Sequence, residues 1–249
     1  MAVVPDIRRE FDTLRGLLTA IALLAVAVPC AAQDDDEGVL SGGFAIGSDL
    51  TFRGVSQTMG EFAIEGSLDL SLPSGIYAYA WASNVDFAPA GEPDDGATHE
   101  VDLAVGYATG IGENWDVDIS LVRYLFPGTV DGVDYDFNEF MATVGYGGTY
   151  RGTVAYSSNV DGSGGESLYY ELGAELGLRD DTVLELSIGH YDLADAYDDT
   201  YSFAEVALRH SFANTEVVLS YTDTSDSAEA IYFRQSTGRR FIVSLHLSW

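Results

Sequence analysis

The chain contains no lysine, and its eleven basic side chains, all arginine, face 40 acids for a net charge of −29. That balance excludes a nucleic-acid partner, which needs a basic surface to meet phosphates. Cysteine is almost absent: Cys30 stands alone, so neither an internal disulfide nor a thiolate metal site is available. Long apolar runs are missing too. The longest, 16–28, has thirteen residues, short of the ~20 of a spanning helix. Arg8, Arg9 and Arg15 precede it and the small residues Cys30-Ala31-Ala32 follow, the layout of a secretory signal peptide. Cleavage is expected after Ala32, giving a signal segment 1–32, an acidic leader 33–39 with Asp34 to Glu37, and a domain 40–249. Asp6, Glu10 and Asp12 offset the three arginines, so the remainder keeps 37 acids, 8 arginines and the same −29. Arg8-Arg9 weakly suggests a twin-arginine route, which carries folded cargo, and Pro29 sits where a lipidation signal before Cys30 wants a small, flexible residue.

What the chain does contain is alternation. In 62–72, Phe62, Ile64, Leu68, Leu70 and Leu72 share one parity, while Glu65, Ser67, Asp69 and Ser71 share the other. Successive strand side chains point to opposite faces, so one face is apolar and the other polar. The pattern predicts strands at 40–53, 62–72, 76–87, 98–109, 115–126, 135–146, 149–160, 166–178, 182–191, 200–210, 215–223 and 239–249. Each is about ten residues, enough for a tilted strand to cross a bilayer. Tight connections at 73–75, 110–114, 147–148, 179–181 and 211–214 alternate with mostly longer ones. Such alternation predicts an all-β fold, a closed up-and-down antiparallel transmembrane barrel of twelve strands, with short turns periplasmic and long loops outside.

Parity also sorts the acids. Glu65, Asp69, Glu100, Asp102, Asp116, Asp118, Glu139, Glu171, Glu175, Glu185, Glu205 and Glu216 fall on the polar face, which must be the lumen because carboxylates in lipid are costly. Arg123, Arg151, Arg209 and Arg240 can share it, although Tyr124 and Phe126 break the pattern near Arg123. So acidic a lumen is expected to be hydrated and to favour cations. The same residues read structurally are a Glu–Arg network bracing a narrow wall. Tyr77, Tyr107, Trp115, Tyr146, Tyr150, Tyr221 and Trp249 near strand ends suit membrane–water boundaries. The last strand alternates to Trp249, similar to the signal that outer-membrane barrels present to the barrel-assembly machinery.

Two stretches carry a more specific resemblance. Gly47-Ser-Asp-Leu-Thr-Phe-Arg-Gly-Val-Ser-Gln-Thr58 and Gly75-Ile-Tyr-Ala-Tyr-Ala-Trp-Ala-Ser-Asn-Val-Asp86 resemble the opening of the TorF porin family, catalogued as conserved hypothetical proteins of Proteobacteria. Glu139 in Tyr-Asp-Phe-Asn-Glu and Ile188-Gly-His-Tyr-Asp192 are similar as well. The resemblance implies an outer-membrane barrel with a channel role. It marks Arg53, Gly54, Ser56, Gln57, Trp81, Ser83 and Asn84, which the predicted strands put at the extracellular rim, with Arg53 bracing the first loop through carbonyls or Asp86.

The expectation is a non-enzymatic outer-membrane channel for passive diffusion of small hydrophilic solutes, with lipid and lipopolysaccharide around it and neither cofactor nor metal. Two alternatives stand beside it. One is a non-conducting receptor, adhesin or structural barrel, whose loop acids (Asp94-Asp95, 161–166, 195–199) could bridge divalent ions. The other is a lipid hydrolase using His99 or His190, which sit singly near the outer rim; His210 and His246 fall at the opposite end.

Overall fold

A computed structural model describes residues 38–249 apart from Ala90 and Asp94; the predicted signal segment, Cys30 and most of the acidic leader lie outside the described residues. Twelve strands close into one antiparallel barrel: β1 (Val39–Gly47), β4 (Ala63–Ser71), β5 (Ile76–Asn84), β6 (His99–Ile111), β7 (Trp115–Leu125), β8 (Phe137–Tyr146), β9 (Tyr150–Ser157), β10 (Ser167–Arg179), β11 (Thr182–Leu193), β12 (Asp199–Phe212), β13 (Thr215–Thr224) and β14 (Arg240–Ser248). Each strand pairs with its sequence neighbours in the ring, and β14 returns to β1 in the register Gly43↔Ser248 to Gly47↔Ser244. Closure leaves no free strand edge, which a barrel in lipid requires. Turns at 72–75, 112–114, 147–149, 180–181 and 213–214 lie at one end, the turn end, and the longer connections lie at the other, the loop end.

One expected strand is corrected. The first barrel strand ends at Gly47, not at residue 53. The chain then leaves the wall as a separate small hairpin, β2 (Thr51–Phe52) and β3 (Val55–Ser56), with Arg53 and Gly54 both at positive φ in its turn. Apolar alternation continues through Leu50 and Phe52 because these side chains pack into a buried cluster inside the barrel mouth.

Exposure follows the parity of the wall. Outward positions such as Leu103, Val105, Ile119, Leu121, Leu172, Ile188 and Val206 are exposed apolar residues. Aromatic rings ring both ends of that apolar band: Tyr107, Trp115, Tyr146, Tyr150 and Trp249 toward the turn end, Phe140, Tyr156, Tyr170, Tyr221 and Phe241 toward the loop end. Tyr77 is not among them. It turns inward, and its hydroxyl reaches Asp118 at 3.0 Å, two strands away. Gly106 lies between them on β6; a Cβ there would sit 2.4 Å from the Tyr77 ring, so only glycine lets the phenol cross.

Candidate functional site

The inward faces divide into two halves of different chemistry. Toward the loop end the lumen is filled. Buried side chains of β7, β8, β10, β11 and β12, including Tyr124, Phe137, Tyr169, Tyr191, Tyr201 and Phe203, meet the β2–β3 hairpin in one apolar cluster. Toward the turn end the inward side chains are polar and partly exposed, around cavities of about 390 Å³ beside Glu65, Asp69, Tyr79, Trp81 and His246 and about 400 Å³ beside Asp116, Asp118 and Thr143.

Arg53 sits at the junction. Its guanidinium lies 4.5, 3.9 and 4.4 Å from the ring centres of Phe52, Tyr169 and Tyr191, and its Nη2 donates to Glu139 Oε2 at 2.6 Å. The two side chains are 4% and 0% exposed. Tyr124 donates its hydroxyl to the same Glu139 oxygen at 3.2 Å. Arginine suits this position because a flat, weakly hydrated cation stacks on several rings while one Nη atom binds the carboxylate; Arg53 Nη1 and Glu139 Oε1 make no hydrogen bond among the described residues. Gly54 lets the hairpin approach the wall: at φ 81° it places its missing Cβ 2.8 Å from Phe203 and 3.0 Å from Thr224.

A second tether holds the hairpin base. Asp49 accepts Ser56 Oγ at 2.6 Å, Thr58 Oγ1 at 2.9 Å and Arg240 Nη1 at 2.7 Å, and Arg240 also bonds the carbonyls of Gln235 and Ser236. Ser56 N donates to Ser236 O, and Asp86 N donates to Gln57 O. Asp49 and Tyr191 lie in the stretches 47–58 and 188–192 without being marked individually, and Tyr124 and Tyr169 lie outside the marked residues; beyond the bonds of Asp49 to Ser56 and Thr58, the four act across strands or over more than forty positions.

Of the marked motif residues, Arg53, Gly54, Ser56 and Gln57 are therefore folded into the mouth and not along its rim, and the partner of Arg53 is Glu139 instead of Asp86. Trp81 lies deeper and donates its indole N–H to Glu65 at 3.3 Å. Ser83, fully buried, bonds the carbonyl of Ile64, and Asn84 ends β5 by pairing with the backbone of Phe62 and Ile64.

Of the lumen candidates, Glu65, Asp69, Asp102, Glu139, Glu171, Glu185, Glu205 and Arg151 all project inward on their strands. Arg151 joins Glu171 at 3.3 Å and Glu175 at 3.1 Å; Arg209 joins Glu185 at 3.1 Å. Glu65, Asp69, Asp102, Asp116, Asp118 and Glu205 have no arginine within ion-pair distance among the described residues. Arg123 is a correction: it pairs in register with Leu103 on the outward face, near the loop end, and binds Asp136 at 3.0 Å. Its inward neighbours are the buried Val122 and Tyr124, and Tyr124 packs against the hairpin's Phe52.

The loop acids knit loops together. Asp95 accepts the Tyr135 hydroxyl at 3.0 Å, Asp195 accepts Glu166 N at 2.9 Å, and Asp161 accepts the Tyr197 hydroxyl at 3.1 Å. Burial pushes the Asp161 carboxyl up to about 6, against the Tyr197 hydrogen bond and the nearby Arg53 charge, while Glu139 pushes the same way as burial. Glu100, Tyr135, Tyr191, Tyr201 and Tyr232 face the same carboxylate. A folded value above the unfolded 3.8 means that ionised Asp161 opposes folding fully above about pH 6 and not at all below 3.8. Asp161→Asn is therefore expected to melt higher than wild type at pH 7.5 and to lose that advantage on acidification toward pH 3.5, as read by circular dichroism in detergent.

The two histidines named for hydrolysis bond hydroxyl groups. His190 Nδ1 and Ser202 Oγ are 2.9 Å apart on neighbouring strands, and His99 Nδ1 meets Thr98 Oγ1, but no carboxylate or carboxamide bonds either ring among the described residues.

A closed twelve-stranded barrel with an apolar wall, aromatic belts and a charged interior has the architecture of porins. Among solved structures, the chain is similar to the NanC porin (TM-score 0.55, 11% identity, 85% of this chain and 99% of that one). It is also similar to the KdgM porin (0.52, 6%, 84% and 99%) and to a KdgM porin in complex with disordered oligogalacturonate (0.51, 6%, 85% and 99%). The family model described as "Bacterial protein of unknown function (Gcw_chp)" matches residues 31–248, and the chain belongs to that family. No curated protein matches it.

Proposed function

We propose that this protein is an outer-membrane channel that passes small hydrophilic solutes by diffusion and prefers cations. The observation that carries this reading is the turn-end lumen, where carboxylates without arginine partners among the described residues line cavities of about 390 and 400 Å³. Such groups are tolerated when water reaches them, and a hydrated acidic bore concentrates cations and repels anions. The porin-like barrel, the apolar band between aromatic belts and the resemblance to TorF porins support an outer-membrane setting, with turns periplasmic and loops outside. In that setting lipid and lipopolysaccharide surround the wall, and the strand ending at Trp249 serves as the signal to the barrel-assembly machinery. An oligogalacturonate, being a polyanion, would be repelled by this interior, so the solute of the similar KdgM porin is not carried over.

The filled loop end favours a second reading, a barrel that does not conduct and acts as a receptor or structural element. Planar-bilayer recording of the refolded protein separates the two. Discrete conductance steps whose zero-current potential in a KCl gradient has the sign of K⁺ selectivity are expected. Silence over long recordings would leave the non-conducting reading, and chloride selectivity would remove the electrostatic argument.

A further inference from the structure

Outside the Arg53 layer, the hairpin and all five other loops enclose a cavity of about 280 Å³, just under the ~300–1,000 Å³ of pockets for drug-sized ligands and so suited to a smaller molecule. Its walls are mainly aromatic, with Phe87, Tyr124, Tyr191 and Tyr232 among them. Among the described residues three carboxylates also line it, Asp95, Glu100 and Asp161, and no arginine or histidine does. Asp95 and Asp161 each take a tyrosine hydroxyl. Glu100 is different. It projects inward from β6, is only 6% exposed, and accepts no hydrogen bond and meets no cation among the described residues. A carboxylate buried without a partner is costly unless it takes up a proton or something else supplies positive charge, and a bound cation would favour its ionised form. The Arg53 charge beneath the cavity is already engaged by Glu139.

Ring faces attract cations, and an aromatic wall beside carboxylates suits one that needs no hydrogen bonds of its own. A divalent metal ion fits poorly, since it requires a shell of oxygens that these rings cannot give. A neutral aromatic solute would leave Glu100 uncompensated. We propose that this vestibule is a binding site for a small organic cation of the quaternary-ammonium class, with Glu100 supplying the counter-charge and the surrounding rings its cage. The inference does not depend on conduction: the site is complete in a barrel that never opens.

The test uses the full barrel refolded in a glucoside detergent, free of choline headgroups, with calorimetric titration by choline and by neopentyl carbinol, its uncharged isostere with carbon in place of nitrogen. Choline should bind saturably and about tenfold or more tighter than the isostere, a gap of roughly 1.4 kcal/mol or more. Glu100→Gln should weaken choline by about tenfold, again roughly 1.4 kcal/mol, and leave the isostere unchanged. That variant keeps the side-chain shape and removes a buried charge, so it should fold as readily as wild type. Equal binding of the two compounds, no saturable choline binding up to tens of millimolar, or an unchanged choline affinity in Glu100→Gln would each overturn the proposal.

Discussion

Replacing Arg53 by alanine should undock the hairpin from the barrel mouth and enlarge the conducting path. The substitution strands Glu139, whose side chain has no exposure, without its cation, and it removes the plate on which Phe52, Tyr169 and Tyr191 stack. Breaking one side of a buried ion pair costs about 3–5 kcal/mol. The hairpin has little of its own to resist such a loss, since β2 and β3 hold only two residues each. The expected outcomes are larger single-channel conductance and proteolytic cutting within 48–62 under conditions where wild type is uncut. Arg53→Lys should keep at most the single contact to Glu139 Oε2 and fall short of arginine, because a compact ammonium cannot stack across several rings. Arg53→Ala with Glu139→Ala should recover part of the loss, the sign of direct coupling. Wild-type conductance and protection in Arg53→Ala would mean that the Asp49–Arg240 tether alone holds the hairpin.

Neutralising the lumen should change selectivity more than size. Glu65→Gln, Asp69→Asn, Asp102→Asn and Glu205→Gln together remove four inward charges that have no arginine partner, while keeping side-chain volume. The K⁺ to Cl⁻ permeability ratio should fall by about threefold or more, equivalent to roughly 0.7 kcal/mol between the two ions. The conductance step should change much less. An unaltered zero-current potential would place the selective region elsewhere, in the vestibule or the loops.

The wall of this barrel could be read from the sequence because its physics is local. A period of two and turn chemistry act over a few residues, so eleven of the twelve expected segments lie within about three positions of the strands that form, the first being the exception. The interior was harder where its chemistry changes. The rule that polar side chains face inward holds while the lumen is wet, and it inverts beside the hairpin, where Val122 and Tyr124 face in and Arg123 faces out. The same inversion disguised 48–53 as strand, since Leu50 and Phe52 continue an apolar alternation against a plug and not against lipid. The clamp itself joins positions 53, 139 and 191, and no local pattern predicts a contact over such separations. One signal was present: Arg53-Gly54, Glu139 and the stretch 188–192 all carried the same family resemblance, and the structure brings all three together.

If the inward-folded first loop sets the bore of a cation-preferring channel, replacing residues 50–59 by a short Gly-Ser link should widen it. Single-channel conductance and zero-current potential of that variant, beside wild type in the same KCl gradient, should show a several-fold larger conductance step with the K⁺ preference retained, because the acids that supply it lie on the strands. Equal conductance in the two proteins, or silence in both, would contradict this expectation.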